Sequence, residues 1–168
     1  MTVSLLLIVF IPMLVEAARS ARNERLQIAR GGIEPPGDVF RIMRIAYPGA
    51  FLAIVAEGVW RGSPTPAVIA AGAVVFVAAK ALKWWAILTL GRAWTFRVIT
   101  VPGDALVTRG PYRLLDHPNY AAVIGELVGT SMMAGAPAAG MIATAGFSML
   151  MWKRIAIEER ALDRRDRR

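Results

Sequence analysis

The chain has 168 residues, of which 56% are hydrophobic, and its mean hydropathy is +0.49, values that a soluble domain rarely reaches and that point to a polytopic membrane protein of one domain's length. The net charge is +8, but the arginines lie between apolar runs and at the tail and no nucleic-acid motif goes with them, which excludes a nucleic-acid partner. With no cysteine and one histidine there is no disulfide, no thiolate nucleophile and no zinc site, so no metal is expected.

Val3 to Val15 is apolar but for Ser4 and Pro12 and can span as a short helix, with a kink at the proline. No Lys or Arg precedes Arg19, so the run reads as a retained first helix and not as a signal peptide. Ala18 to Arg44 is rich in arginine; it starts as a helix leaving the membrane and is broken by Gly31, Gly32, Pro35, Pro36 and Gly37. Ile45 to Trp60 is a second apolar run, with Trp60 and Glu57 suited to an interface. Ala67 to Leu90 is the longest, about 36 Å if helical throughout; Lys80 and Lys83 interrupt it, followed by Trp84 and Trp85.

Gly91 to Pro118 is too polar to span. Ala121 to Ala134 and Ala138 to Trp152 are apolar runs separated by Gly135-Ala136-Pro137, and both are rich in Gly and Ala. Gly125 and Gly129 form a small-xxx-small pair, which predicts a tight antiparallel hairpin between these two runs. Lys153 to Arg168 reads as a charged helix. The expected fold is an all-α polytopic helix bundle with about five spans.

Of the 20 Lys and Arg, 17 fall in residues 18–44, 91–118 or the tail, and the turns at 61–66 and 135–137 hold only Arg61. Five spans with the N-terminus outside put all three basic segments in the cytoplasm, as the positive-inside bias requires.

The stretch Leu106 to Glu126 concentrates the chemistry: the only histidine, two of three tyrosines and a carboxylate in an apolar run. Gly110-Pro111 marks a turn. His117-Pro118 starts a helix, since proline suits the first helical position, and Asp116 complements its positive end. His117 and Tyr120, three apart, share a face at the membrane rim. By spacing alone an interfacial belt accounts for them slightly better than a catalytic duty. Glu126 is an intramembrane carboxylate about two turns from Asn119; lining an acceptor tunnel and pairing with Lys80 or Lys83 weigh about equally. Arg154 and Glu158, one turn apart, are by spacing alone a solvated surface pair.

The run RGPYRLLDHPNY resembles the signature of the isoprenylcysteine carboxyl methyltransferase family, L-V-T-x-G-P-Y-R-x-x-R-H-P-x-Y. Arg154 to Leu162 resembles the same family's R-I-x-x-E-E-x-x-L, and Gly91-Arg92-Ala93-Trp94 its G-R-x-W. The three fall in family order across residues 91–162. The resemblance implies an integral-membrane enzyme that moves a methyl group from S-adenosylmethionine to a lipophilic acceptor and releases S-adenosylhomocysteine. It implies one domain, residues 1–168, with the cofactor and catalytic motifs in 91–168.

By the same resemblance, Asp104, Ala105, Leu106, Val107, Tyr112, His117, Pro118, Asn119 and Tyr120 match positions that surround the cofactor. Glu158 matches a cofactor-side carboxylate and Arg154 the arginine facing the substrate. Arg154 suits an anionic acceptor through a charge-assisted contact. A carboxylate acceptor needs no base; a phenol or enol would leave His117 as the histidine to take its proton. The chain departs from the family pattern at Asp116, where arginine is usual, and at Asp104, where histidine is frequent, which passes the cofactor's carboxylate to Arg113 or Arg109. It also lacks the F-G-x-x-Y-x-x-Y segment that follows in many relatives.

The H-P-N-Y helix start resembles a bacterial branch, which implies the inner membrane, an active site facing the cytoplasm, and a lipid acceptor such as a long-chain phenol, pyrone or acid. A prenylated acceptor fits the family as a whole. The rival readings are a phospholipid or amine N-methyltransferase, a non-enzymatic scaffold subunit, and a nicotinamide-dependent reductase, the last without a G-x-G-x-x-G to support it.

Overall fold

The computed structural model describes residues 2–166, with side chains described for residues 2–160. Arg167 and Arg168, the end of the expected tail helix, lie outside the described residues. Five α-helices follow one another: α1 (Thr2–Ala29), α2 (Phe40–Arg61), α3 (Pro66–Leu90), α4 (Pro118–Ala134) and α5 (Pro137–Asp166). There is no β-strand among the described residues, and one isolated antiparallel bridge joins Ile33 to Thr100. The protein is an all-α integral-membrane bundle.

Each apolar run became a helix, and three of the starts carry the same local cause. Pro66, Pro118 and Pro137 open α3, α4 and α5, at positions where a missing N–H leaves nothing unpaired. Gly135 closes α4 in the left-handed region, at φ 69°. Three helices are long and apolar enough to cross a membrane: α1, α2, and α3 continued to Ala93. The 17 residues of α4 reach only about 25 Å at 1.5 Å per residue, and α5 is apolar only as far as Trp152, before Lys153. The charged tail is not a separate helix: α5 runs unbroken from the apolar run into it.

The glycine pair does a different job from the one its spacing predicts. Gly125 and Gly129 seat α4 on α3, not on α5. A Cβ on Gly129 would lie 2.7 Å from the Phe76 nitrogen and 2.8 Å from the Gly72 carbonyl oxygen; one on Gly125 would lie 2.7 Å from the Ala79 Cβ. Both helices carry small residues at the crossing, so backbone meets backbone, and α3–α4 is the most extensive helix pair in the molecule. The antiparallel α4–α5 hairpin does form. At its closed end Ser131 donates to the Ala136 carbonyl at 2.7 Å, and Glu57 of α2 accepts the Ala138 N–H at the start of α5 at 3.3 Å. That places a carboxylate at a helix N-terminus, where negative charge is favoured.

Beyond α3 the chain leaves the helical layer as a strap, residues 91–117, with two short 3-10 turns, Gly91–Ala93 and Gly110–Arg113. α1 holds its beginning. Glu16, Ser20, Asn23 and Gln27 are buried polar residues spaced four, three and four apart, hence on one helix face. Asn23 donates to the carbonyls of Gly91 and Trp94 at 3.0 and 2.7 Å, and Gln27 to those of Arg92 and Ala93 at 3.1 Å each. The Ser20 hydroxyl accepts the Phe96 N–H at 2.7 Å. A polar strap over an apolar bundle must find partners for its carbonyls, and these amides supply them.

Candidate active site

The N-terminus of α4 and the charged half of α5 meet, because the hairpin is antiparallel and the two helices run back past each other. Tyr120, in the first turn of α4, donates to Glu158 Oε1 at 2.5 Å. Arg154 Nε donates to the same oxygen at 3.1 Å. His117 Nδ1 lies 3.7 Å from the other oxygen, Oε2. The His117 and Tyr120 rings stack at 5.3 Å and 22°. One carboxylate therefore collects a phenol, a guanidinium and an imidazole from two helices.

Arg154 is 5% exposed, which rules out the solvated surface pair that its spacing with Glu158 suggests. An uncompensated buried guanidinium is costly, and it has compensation on both flanks. Besides Glu158 it lies 3.7 Å from Asp38 Oδ1 in the α1–α2 connection and 3.9 Å from Met43 Sδ on α2. Tyr112, in the second 3-10 turn, is half-buried near this group; burial, and then the charge of Glu158, push its phenol above the usual tyrosine range. Pro118 is buried as the first residue of α4, and the Asn119 Oδ1 is buried with no hydrogen-bond partner.

Of the sequence-predicted site residues, the structure thus gathers Tyr112, His117, Pro118, Asn119, Tyr120, Arg154 and Glu158. Residues 104–107 stand apart: no hydrogen bond or ion pair links them to that group among the described residues. Asp104 is held by Arg30 through two contacts of 2.6 and 3.0 Å, and Ala105 and Leu106 are exposed. Asp116 is exposed and gives α4 no side-chain cap.

Glu126, expected either in an acceptor tunnel or paired with a lysine, is 1% exposed and its oxygens are engaged. Lys80 lies 3.0 Å from Oε1 and Lys83 3.2 Å from Oε2, and the Tyr47 hydroxyl donates to Oε2. Glu16 of α1 completes the cluster, 2.8 Å from Lys80 and 2.7 Å from Lys83. Both lysines are engaged by these carboxylates, and Lys83 is 2% exposed. Two carboxylates and two ammonium groups balance, and four helices share the contact.

Glu16, Asp38, Met43 and Tyr47 carry these arrangements and were not singled out from the sequence. Glu16 had a signal. It follows an apolar run directly, and two lysines in the third run against one carboxylate in the fourth leave one positive charge without a partner. Asp38 had none beyond its place in a Pro-Gly-rich turn.

The profile of the isoprenylcysteine carboxyl methyltransferase (ICMT) family matches residues 71–164, more than half the chain. The uncharacterized protein YpbQ of Bacillus subtilis is 27% identical over 94% of both chains, and an uncharacterized protein of Haemophilus influenzae is 24% identical over 85% of this chain and 84% of its own. A probable protein-S-isoprenylcysteine O-methyltransferase of rice is 32% identical over 52% of this chain, a match that spans only 47% of the plant protein's length. No solved structure matches. With its signature running from the α3–α4 pairing to the Arg154–Glu158 turn, the chain belongs to the isoprenylcysteine carboxyl methyltransferase family.

Proposed function

We propose that the protein is a membrane methyltransferase that moves a methyl group from S-adenosylmethionine to a carboxylate or hydroxyl of a lipophilic acceptor. The observation that carries this reading is the convergence of Tyr120, His117 and Arg154 on Glu158 at the mouth of the bundle.

These residues fit the donor's chemistry. Glu158 is a carboxylate that can receive ribose hydroxyls or an ammonium group. The Asn119 Oδ1, buried and unpartnered, is an acceptor that wants an N–H or O–H. The stacked His117 and Tyr120 offer an aromatic wall. When bound, S-adenosylmethionine supplies an electrophilic methyl group on a sulfonium centre. Arg154 holds the acceptor's oxygen by charge-assisted hydrogen bonds. For a carboxylate acceptor, alignment and exclusion of water suffice. For a hydroxyl, His117 Nε2 takes the proton, while Glu158 Oε2, 3.7 Å from Nδ1 on the other side of the ring, stabilises the imidazolium that results.

The acceptor class rests on the apolar bundle beneath Arg154 and on what the rice relative is called; an acyl or prenyl chain entering from the bilayer fits both. The basic residues around the site favour the cytoplasmic face of a bacterial inner membrane, with the N-terminus outside.

Calorimetry with S-adenosylhomocysteine on the detergent-purified protein tests the reading. Wild type should bind, and Glu158→Ala and Tyr120→Ala should each bind at least about tenfold more weakly, the loss of about one charge-assisted hydrogen bond. No binding by wild type, or equal binding by all three, would falsify it.

A further inference from the structure

Arg154 has a second carboxylate, and nothing in the family signature supplies it. Asp38 lies in the connection between α1 and α2, outside the matched residues 71–164. Its side chain is 4% exposed, and its Oδ1 stands 3.7 Å from Arg154 Nη1. Asp38 is itself pinned: Oδ1 accepts the Phe40 N–H at 3.1 Å and Oδ2 the Val98 N–H at 3.0 Å. The first contact spans two residues and shapes the turn into α2. The second reaches across to the strap and fixes the carboxylate against a distant part of the chain.

Arg154 is therefore gripped from opposite flanks. Glu158, on its own helix, takes Nε at 3.1 Å; Asp38 and the Met43 sulfur, 3.9 Å away, face Nη1. That leaves Nη2 without a hydrogen-bond partner among the described residues. A guanidinium held only by a residue one turn away on its own helix can still swing about its Cγ–Cδ and Cδ–Nε bonds, and a half-turn about Cζ–Nε exchanges its two identical NH2 groups. A second anchor on the far nitrogen removes that freedom and decides which edge faces outward.

We propose that Asp38 is a positioning residue for methyl transfer: anchored by the Phe40 and Val98 amides, it fixes the Arg154 guanidinium so that Nη2 is the edge offered to the acceptor's oxygen. The inference rests on Arg154 as the acceptor-facing arginine. It gives the α1–α2 connection a part in acceptor recognition.

Magnetic resonance of isotope-labelled arginine tests it, with the protein in lipid nanodiscs and S-adenosylhomocysteine present. Arg154→Lys assigns the signal. In wild type Nη1 and Nη2 of Arg154 should give separate resonances. In Asp38→Asn and in Asp38→Ser they should merge into one, while the Nε–H signal, still bonded to Glu158, persists. Asp38→Ser keeps a hydroxyl acceptor for the Phe40 amide, so it preserves the turn while giving up the charge and the second oxygen that holds Val98. S-adenosylhomocysteine affinity should fall less in both variants than in Glu158→Ala, since Tyr120 and Glu158 themselves are kept. Added palmitate, a long-chain carboxylate probe, should shift Nη2 more than Nη1 in wild type and lose that preference in the variants. A merged signal already in wild type, separate signals in both variants, or palmitate moving neither nitrogen overturns the proposal. Failure of wild type to bind S-adenosylhomocysteine instead overturns the methyltransferase reading, and the arginine spectrum still decides whether Asp38 holds Arg154.

Discussion

At the scale of single residues the site is a problem of buried charge. Glu158 is stabilised by Tyr120 and Arg154, and the same carboxylate bears on Tyr112, whose phenol burial already keeps protonated above its ordinary value of about 10. A tyrosine whose folded pKa is raised binds a proton that the unfolded chain releases above about pH 10. Its contribution to stability is complete below that pH and is lost as pH rises toward the folded value. Tyr112→Phe should therefore flatten the alkaline fall in stability beginning near pH 10 and leave the neutral range unchanged; unfolding midpoints from pH 7 to 11 would read this. The motif residues themselves were legible because they are few and chemically distinct: one histidine, a Gly-Pro turn, a carboxylate in an apolar run. Their partners were not. Asp38 meets Arg154 through a contact between residues more than a hundred positions apart, and no local pattern encodes such a pairing.

Helices were legible for the reason that apolar runs bounded by Pro and Gly usually are: the backbone can pair with itself, and the breakers stand where it must stop. Which helix a glycine faces is another matter. Spacing puts Gly125 and Gly129 on one face of α4 but carries no information about the neighbour, and the neighbour is α3, whose own Gly72 and Ala79 complete the crossing. Gly129→Ala would press a methyl group to 2.7 Å from the Phe76 nitrogen, where only backbone could yield. A loss of about 1–3 kcal/mol is expected, as for other overpacked contacts. Gly146→Ala, on α5 with nothing within 4 Å, should cost nothing or stabilise slightly, by about 0.5–1 kcal/mol. Reversible unfolding in mixed micelles would compare the two; equal effects would mean that α4 does not rest on α3 in this way.

Over the whole molecule, one cluster ties four helices together. Glu16, Lys80, Lys83 and Glu126 balance in charge, and Tyr47 adds a hydroxyl from α2. Removing one partner leaves an unpaired ion, so Glu126→Ala should destabilise by about 3–5 kcal/mol. The double change Glu126→Leu with Lys83→Met leaves Glu16 opposite Lys80 and should cost clearly less. Thermal unfolding of the two variants separates a charge-balanced cluster from one in which each side chain contributes independently. The cluster also bears on how the protein is made. Glu16 leaves the ribosome 64 positions ahead of its lysine, so α1 is synthesised with its carboxylate bare. Until α3 arrives, the first helix has reason to stay shallow or to remain with the insertion machinery. The charge that balances Glu16 thus reaches the membrane only with the third hydrophobic segment.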